Sequence, residues 1–181
     1  MTEAIVMETP RLVLRRWRDA DVVPFHAMGQ DAAVMRYLGP PMDVAACTAT
    51  VTRMNALADA AGDCFWALER RADGAFIGFC GIKPGPAGTP IADAPEIGWR
   101  LARDAWGQGY AREAAAACLA RAWDRGTARV HAITVAANEQ SWGLMIRLGM
   151  RRVTDGDFDH PALAEGDPLR RHVHYTIDRP Q

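Results

Sequence analysis

The sequence predicts an α/β (α+β) domain in which a meander of antiparallel strands is flanked by helices. Three observations carry that prediction. Strand-like runs at 64–69, 76–82 and 96–101 follow one another with only turn and loop residues between them, the pattern of a meander and not of a βαβ start. Gly107-Gln108-Gly109 then stands directly ahead of an alanine-rich run, so a strand gives way abruptly to a helix. Earlier in the chain, Asp19 or Asp21 and then Asp43 stand ahead of helix-like stretches as capping residues.

Taken in order, Pro10 precedes Arg11-Leu12-Val13-Leu14-Arg15, an alternating strand with Leu12 and Leu14 on one face. Asp19 or Asp21 is expected to cap a short helix running to about Gly29. Met35-Arg36-Tyr37-Leu38 leads into the break Gly39-Pro40-Pro41. A second helix is expected from Asp43 to near Gly62, with Ala46, Val51, Met54 and Leu57 among its apolar positions. The meander follows, turned at Arg71 to Gly74 and interrupted by a Pro/Gly-rich loop from Pro84 to Pro95. The helix from Tyr110 to about Arg125 carries Ala111, Ala115, Cys118, Leu119, Ala122 and Trp123 along one stripe. Small residues there let it lie close to a sheet. Arg121 and Arg125 suit its negative end, and Gly126 can supply a left-handed cap. A buried strand at 130–135, a shorter helix capped by Asn138 and ended by Gly149, a strand at 150–153, an acidic loop and a last strand at 172–177 complete the expected order. No internal repeat or linker divides the chain, so residues 1–181 are expected to form one domain.

The totals exclude several functions. Apolar content of 49% with 24% charged residues is ordinary for a globular protein, and 181 residues can bury a sizeable core. A net charge of -1 offers no electrostatic attraction to nucleic acid or an anionic membrane, so neither is an expected partner. The four cysteines, Cys47, Cys64, Cys80 and Cys118, contain no C-x-x-C pair. Buried free thiols are expected, not disulfides or a zinc site. Met1-Thr2-Glu3-Ala4 lacks the basic and apolar regions of a secretory signal, and no apolar run approaches the ~18 residues of a membrane span. A soluble, cytoplasmic protein is the expectation, either monomer or homodimer.

The stretch Trp106-Gly107-Gln108-Gly109-Tyr110-Ala111-Arg112-Glu113 is the chemical centre of the sequence. Bare backbone at a helix N-terminus presents unpaired N–H groups and the positive end of the helix dipole, a setting for phosphate or pyrophosphate. A dinucleotide fingerprint would need a third glycine where Arg112 stands, and an acid after the next strand, which instead ends Val135-Ala136-Ala137. An ATP P-loop needs G-K-[ST], but the single lysine, Lys83, precedes Pro84. A tight turn with no ligand remains the ordinary structural explanation of this stretch alone.

Read together, Arg11-Leu12-Val13-Leu14-Arg15, Glu96-Ile97-Gly98-Trp99, Trp106 through Ala114, Asn138-Glu139-Gln140-Ser141 and Leu148-Gly149-Met150 resemble the GNAT acetyltransferase superfamily, and within it the RimJ/RimL-type branch. The resemblance spans about Thr9 to Ile177. It implies the GNAT acyl-CoA N-acyltransferase fold, a mixed, mostly antiparallel twisted sheet splayed where acetyl-CoA enters. It also implies acetyl-CoA as donor, with no metal, and a primary amine as acceptor. The pyrophosphate would rest on the amides of Gly107, Gln108, Gly109, Tyr110, Ala111 and Arg112. Pantetheine would lie beside Trp99, Arg100 and Leu101 as a further strand would, and Asn138 matches a position that helps hold the cofactor near its thioester. Trp106 departs from the Gln or Arg that usually begins the loop, which removes a side-chain contact to phosphate and leaves the amides intact.

Acetyl transfer needs a neutral amine, a stabilised oxyanion and a proton for the departing thiolate. A lysine-like amine is neutral only about once in 2,500 at pH 7, an α-amine roughly 10–15% of the time. The α-amine of a protein or peptide is therefore the first acceptor expectation, with small amines next. Glu96, at the start of the strand expected to face the thioester, is the candidate base, directly or through water; the alternative is a strand-edge Glu paired with an arginine. Glu113 is read as a favourable charge near the dipole's positive end. Met145 stands where many superfamily members carry a tyrosine acid, seven residues after the matched Asn. Ser141, the only serine, is the candidate hydrogen-bond donor to the CoA sulfur, against local back-bonding at the helix start. Tyr110 is expected to pack over the loop. His172 and His174 share a strand face without the further ligands of a metal site, so substrate contact or a surface patch is expected. The acidic loop Asp155-Gly156-Asp157-Phe158-Asp159-His160-Pro161 could attract a cationic amine. A non-catalytic CoA-binding sensor is the alternative of a different class, and a serine hydrolase lacks the G-x-S-x-G elbow.

Overall fold

The computed structural model describes residues 5–181; the N-terminal tetrapeptide read above for a leader lies outside the described residues. Nine strands form one sheet: β1 (Ile5–Glu8), β2 (Leu12–Arg15), β3 (Phe65–Arg70), β4 (Ala75–Pro84), β5 (Pro95–Leu101), β6 (Arg129–Val135), β7 (Arg151–Arg152), β8 (Phe158–Asp159) and β9 (Arg171–Asp178). The order is β1-β2-β3-β4-β5-β6-β9-β7, with β8 also paired to β9. Every pairing is antiparallel except that of β5 with β6. The mixed, mostly antiparallel sheet expected from the resemblance is therefore present.

The parallel pair is the unusual one. β4 and β5 are in register from Gly78↔Leu101 to Pro84↔Pro95, whereas β5 and β6 meet only at Glu96↔His131. Beyond that pair the two strands separate, and β6 leaves the remainder of one edge of β5 unladdered. Close packing on the opposite edge fixes where β5 runs. A Cβ added at Gly98 would come within 2.7 Å of the Phe65 ring, and one at Gly81 within 1.9 Å of the Cys64 carbonyl oxygen.

Among the described residues, five α-helices cover the sheet: α1 (Val22–Gly29), α2 (Ala32–Met35), α3 (Val44–Ala61), α4 (Tyr110–Asp124) and α5 (Glu139–Arg147). Adjacent residues of β4 show the two faces, since neighbouring side chains on a strand point opposite ways. Phe79 joins an aromatic cluster with Phe25 of α1, Trp17 and Phe65, at centroid distances of 6.1, 6.0 and 5.4 Å. Cys80 points the other way, with its sulfur 4.0 Å from that of Cys118 on α4. Small buried residues on α4, Ala114, Ala115, Cys118 and Ala122, permit that approach. Ala111 and Trp123, expected on the stripe, lie half-buried at its margins, and Ala114 takes a central place.

Capping follows sequence chemistry at α3, where the Asp43 carboxylate accepts the Ala46 N–H at 2.8 Å and left-handed Gly62 closes the end. The buried face of α3 is Cys47, Val51, Met54 and Ala58; Leu57 is half-buried and Ala46 is exposed. Asp31 caps the four-residue α2, which the sequence reading did not include. β1 and β8 were likewise not expected, and the strand expected at 150–153 shortens to Arg151–Arg152. No helix among the described residues is long and apolar enough to cross a membrane.

Asp21 does not cap α1. Its two oxygens accept the Arg15 guanidinium at 2.8 Å each, and one also accepts the Arg18 N–H at 2.8 Å. Glu69 takes Arg15 Nε at 2.7 Å and Arg18 at 2.9 Å. Arg15 and Asp21 are each only 3% exposed. A buried guanidinium on β2 needs two carboxylates, and this need outbids the helix terminus for Asp21. Removing one partner strands charge in the core at a cost of about 3–5 kcal/mol. Arg15→Met is therefore expected to lower the unfolding free energy in urea by about that amount, with part of the loss returned by adding Asp21→Leu. A cost below about 1 kcal/mol would assign the pair the weight of an exposed bridge.

Candidate active site

β5 ends in a 3-10 turn at Arg103–Ala105, and the chain then turns through Gly107 and Gly109 into α4. Both glycines have positive φ, +72° and +81°, which an ordinary residue adopts at a cost of roughly 1–2 kcal/mol. A Cβ on Gly107 would meet nothing within 4 Å, so the loop surface is open there. The first rung of the helical ladder is the Glu113 N–H to the Gly109 carbonyl at 3.0 Å. The amides ahead of it are the unladdered donors of a helix start. Trp106 faces inward, its indole N–H donating to the Leu101 carbonyl at 2.9 Å, and so closes the turn.

A strap from the N-terminal part of the chain holds this loop. Arg11 donates from its Nη1 to the Gln108 carbonyl at 2.8 Å and from Nε to Glu113 at 2.6 Å, while its guanidinium lies 4.6 Å from the Tyr110 ring centroid. Glu113 also accepts the Thr9 hydroxyl at 2.6 Å and the Arg11 N–H at 2.9 Å. Glu113 is thus more than a charge in a favourable field: it ties α4 to the start of β2. Burial alone would raise its pKa, but the Thr9 and Arg11 bonds outweigh burial and hold the carboxyl below its ordinary 4.5. Thr9 and Arg11 had no assigned role in the sequence, because nothing local indicates that residue 11 meets residue 113.

At the point where β5 and β6 diverge, Glu96 is buried and paired with Lys83 at 2.7 Å. Its partner is the single lysine, not the arginine considered above. One carboxylate oxygen is taken by Lys83, whose ammonium also lies 5.0 Å from the Phe65 ring centroid. His131, across the divergence, is in register with Glu96, so both side chains lie on the aromatic face of the sheet. Arg100, two alternations along β5, lies on that face too, 5.4 Å from the Phe79 ring centroid. Burial lowers its pKa, and its Nε is buried with no hydrogen-bond partner among the described residues.

Asn138 is oriented from both ends. Its Nδ2 donates to the Thr134 hydroxyl at 3.1 Å, and its Oδ1 accepts the Ser141 N–H at 3.4 Å, capping α5. The Ser141 hydroxyl has no hydrogen bond among the described residues, so the expected back-bonding competitor is absent from them. Met145 is 2% exposed and belongs to the core. Its thioether has no proton to give and faces packing.

The histidines separate into two groups. His174 does not act with His172 but meets His131, Nε2 to Nδ1 at 2.9 Å. Burial lowers the pKa of both, helped at His131 by Arg129 and at His174 by His131 itself. The His172 ring lies tilted against those of His160 and Phe158, at centroid distances of 5.0 and 5.6 Å. Within the acidic loop, Asp157 pairs with Arg152 at 2.5 Å and Asp159 with Arg171 at 3.4 Å, which leaves much less charge to attract an amine. The four cysteines are buried and unbridged; burial pushes the Cys64 thiol up to about 12 and also raises Cys47. A thiol that stays protonated is a poor nucleophile. Among the described residues, no group of three or more His, Cys, Asp or Glu could hold a metal ion.

Comparison with known proteins agrees with this geometry. Residues 11–151 match the family model described as Acetyltransferase (GNAT) domain. The uncharacterized protein YkkB of Bacillus subtilis (strain 168) is 31% identical over 144 residues, 78% of this chain and 83% of that protein. Among solved structures, a protein described as a GnaT-family acetyltransferase from Bordetella pertussis superimposes with TM-score 0.75 at 27% identity, covering 94% of this chain and 98% of that one. RimL, the ribosomal L7/L12 alpha-N-protein acetyltransferase in complex with coenzyme A, shares the fold with TM-score 0.77 at 15% identity over 97% and 98% of the two chains.

The strap has a pH signature. A carboxyl held below 4.5 contributes stability that is fully present above that value and is lost as pH falls through the depressed one. Glu113→Gln is expected to lower the unfolding free energy by about 1–2 kcal/mol at neutral pH, the scale of a lost charge-assisted hydrogen bond at a partly exposed site. The gap between variant and wild type should shrink between about pH 5 and pH 3. Chemical denaturation across that range checks this; a gap independent of pH would contradict it.

Proposed function

The chain belongs to the GNAT acetyltransferase family, which makes it an N-acetyltransferase, and we propose that it moves the acetyl group of acetyl-CoA to a primary amine by direct attack. The observation that carries the reading is the continuity of the unladdered edge of β5 with the open amides at the start of α4. An extended, amide-bearing pantetheine suits the first, as an added strand would, and a pyrophosphate suits the second. Gly107, Gln108, Gly109, Tyr110, Ala111 and Arg112 would take the pyrophosphate, and Trp99, Arg100 and Leu101 the pantetheine. The CoA complex of the fold neighbour RimL supports this choice of ligand.

The chemistry then falls to few groups. The amine nitrogen attacks the thioester carbon, the C–S bond breaks, and the thiolate needs a proton or a hydrogen bond. Glu96 stands where the strands part and has one carboxylate oxygen outside its Lys83 pair, suited to orient the incoming amine and accept from it directly or through water. Ser141, with an uncommitted hydroxyl in the first turn of α5, would donate to the sulfur. Asn138, fixed by Thr134, would hold the cofactor near the thioester. The high thiol pKa values disfavour a cysteine acyl-enzyme. Within the family we place the protein in the RimJ/RimL-type branch, as a single cytoplasmic domain. The α-amine of a protein or peptide is the leading acceptor, because it requires the least deprotonation at pH 7.

Thiol release from acetyl-CoA with a panel of peptide α-amines and small amines tests the reading. Glu96→Gln is expected to lower kcat about 100-fold or more, within the range of a lost general base, and Ser141→Ala about 10-fold, each with CoA affinity by calorimetry within about twofold of wild type. Tight CoA binding with no thiol release for any amine would instead favour a CoA-binding sensor.

A further inference from the structure

His131 and His174 form a hydrogen-bonded imidazole pair beside the point where the sheet opens. A buried imidazole (His174) in contact with a half-buried one (His131) is costly to desolvate, and core packing alone would be better served by apolar side chains. The pair also lies on the same sheet face as Glu96, since His131 is in register with it. Resting on the acetyl-transfer reading above, we propose that this pair receives the proton released by the acceptor amine and carries it away from the thioester.

The chemistry of the three groups supports that division of labour. Glu96 is already paired with the Lys83 ammonium, whereas imidazole is the side chain suited to take up and release a proton near neutral pH. With His131 Nδ1–H donating to His174 Nε2, His131 Nε2 keeps its lone pair. A proton taken there can be matched by transfer of the Nδ1 proton to His174 and loss of the His174 Nδ1 proton to water, so the charge moves from β6 to β9; a turn of each ring then restores the starting tautomers for the next cycle. The single added proton turns a neutral hydrogen bond into a charge-assisted one, which is the stronger kind. His174 then faces Asp157, whose charge raises its proton affinity. Gly156 lies against His174 as well, since a Cβ there would fall 3.1 Å from His174 Nδ1. The proton leaves to water along this loop. Overall, an ammonium and acetyl-CoA become an amide, CoA thiol and one solvent proton.

The charged groups around the pair set its pH behaviour. Arg129 lowers and Asp178 raises His131; His131 lowers and Asp157 raises His174; Lys83 of β4 and Glu96 of β5 lie on the same face as an ion pair. Burial is the largest influence on both rings and lowers each below 6.5. The pair is therefore neutral and ready to accept at pH 7, and the acid limb of kcat/KM should fall below 6.5.

His131→Gln and His174→Gln are compared with wild type and the double variant, using a strongly basic alkylamine and a weakly basic alkoxyamine that is already neutral at pH 7. The relay predicts that each single variant loses about 100-fold or more in kcat/KM with the alkylamine. It further predicts that the double variant is little worse than either, and that the loss with the alkoxyamine is under about 10-fold. CoA affinity should be unchanged. Equal losses with both amines would make the pair a structural element, and unchanged kcat/KM would overturn the proposal while leaving the acetyl-transfer reading intact. A wild type that binds CoA and acetylates no amine overturns that reading, and the relay falls with it.

Discussion

The divergence of β5 from β6 after Glu96↔His131 is the constraint on which the rest of the site depends. A strand interior to a sheet ordinarily spends both edges on neighbours. Here β5 is laddered along its whole length to β4 and at a single pair to β6. An interior strand therefore keeps backbone groups available in the middle of a sheet, where an edge strand would expose them to any passing chain. The cradle at the start of α4 continues the same line, because the chain leaves β5 through the Trp106 turn and enters the helix within a few residues.

Holding that arrangement requires contacts distant in sequence. Arg11 and Thr9 reach across to Gln108 and Glu113, so the turn between β1 and β2 fixes a loop that lies about a hundred residues later. On the aromatic face, Phe65 presses against Gly98 and stacks on Phe79, which holds β5 against β4 where it leaves β6. Arg15 with Asp21 and Glu69 locks the entry to α1 against the same sheet. Each of these is a polar or steric anchor at the border of the core, and together they leave the β5–β6 gap as the place where the packing is not closed.

Local chemistry made much of this legible in the sequence. The meander, the glycine turn at 107–109, the left-handed Gly126, the helix end at Gly149, the Asp43 and Asn138 caps and the long α4 all follow from short-range rules and match the structure. What escaped were choices made by tertiary packing. Asp21 looks like a helix cap until Arg15 is buried beside it. Ala46 satisfies the apolar spacing, yet the helix rotates to bury Cys47 and Ala58 instead. His172 and His174 alternate correctly on one strand, but β6 brings His131, opposite Thr176, against His174 alone, and no spacing in the sequence signals that register. The very short β7 and β8 owe their existence to β9, not to propensity.

The face of the sheet that carries Glu96, Arg100, His131 and His174 gathers nearly all the unneutralised or titratable groups near the opening, while the opposite face is sealed by the small residues of α4. On the proposed reading, the cofactor would occupy the gap and the acceptor would approach from the aromatic side. A crystal structure with acetyl-CoA bound tests this most directly. The account predicts pantetheine running along Ile97 to Leu101 with its amides bonded to β5, and the pyrophosphate on the backbone N–H groups of Gly107 to Arg112. Acetyl-CoA bound anywhere else, or a pyrophosphate that makes no contact with those amides, would contradict it.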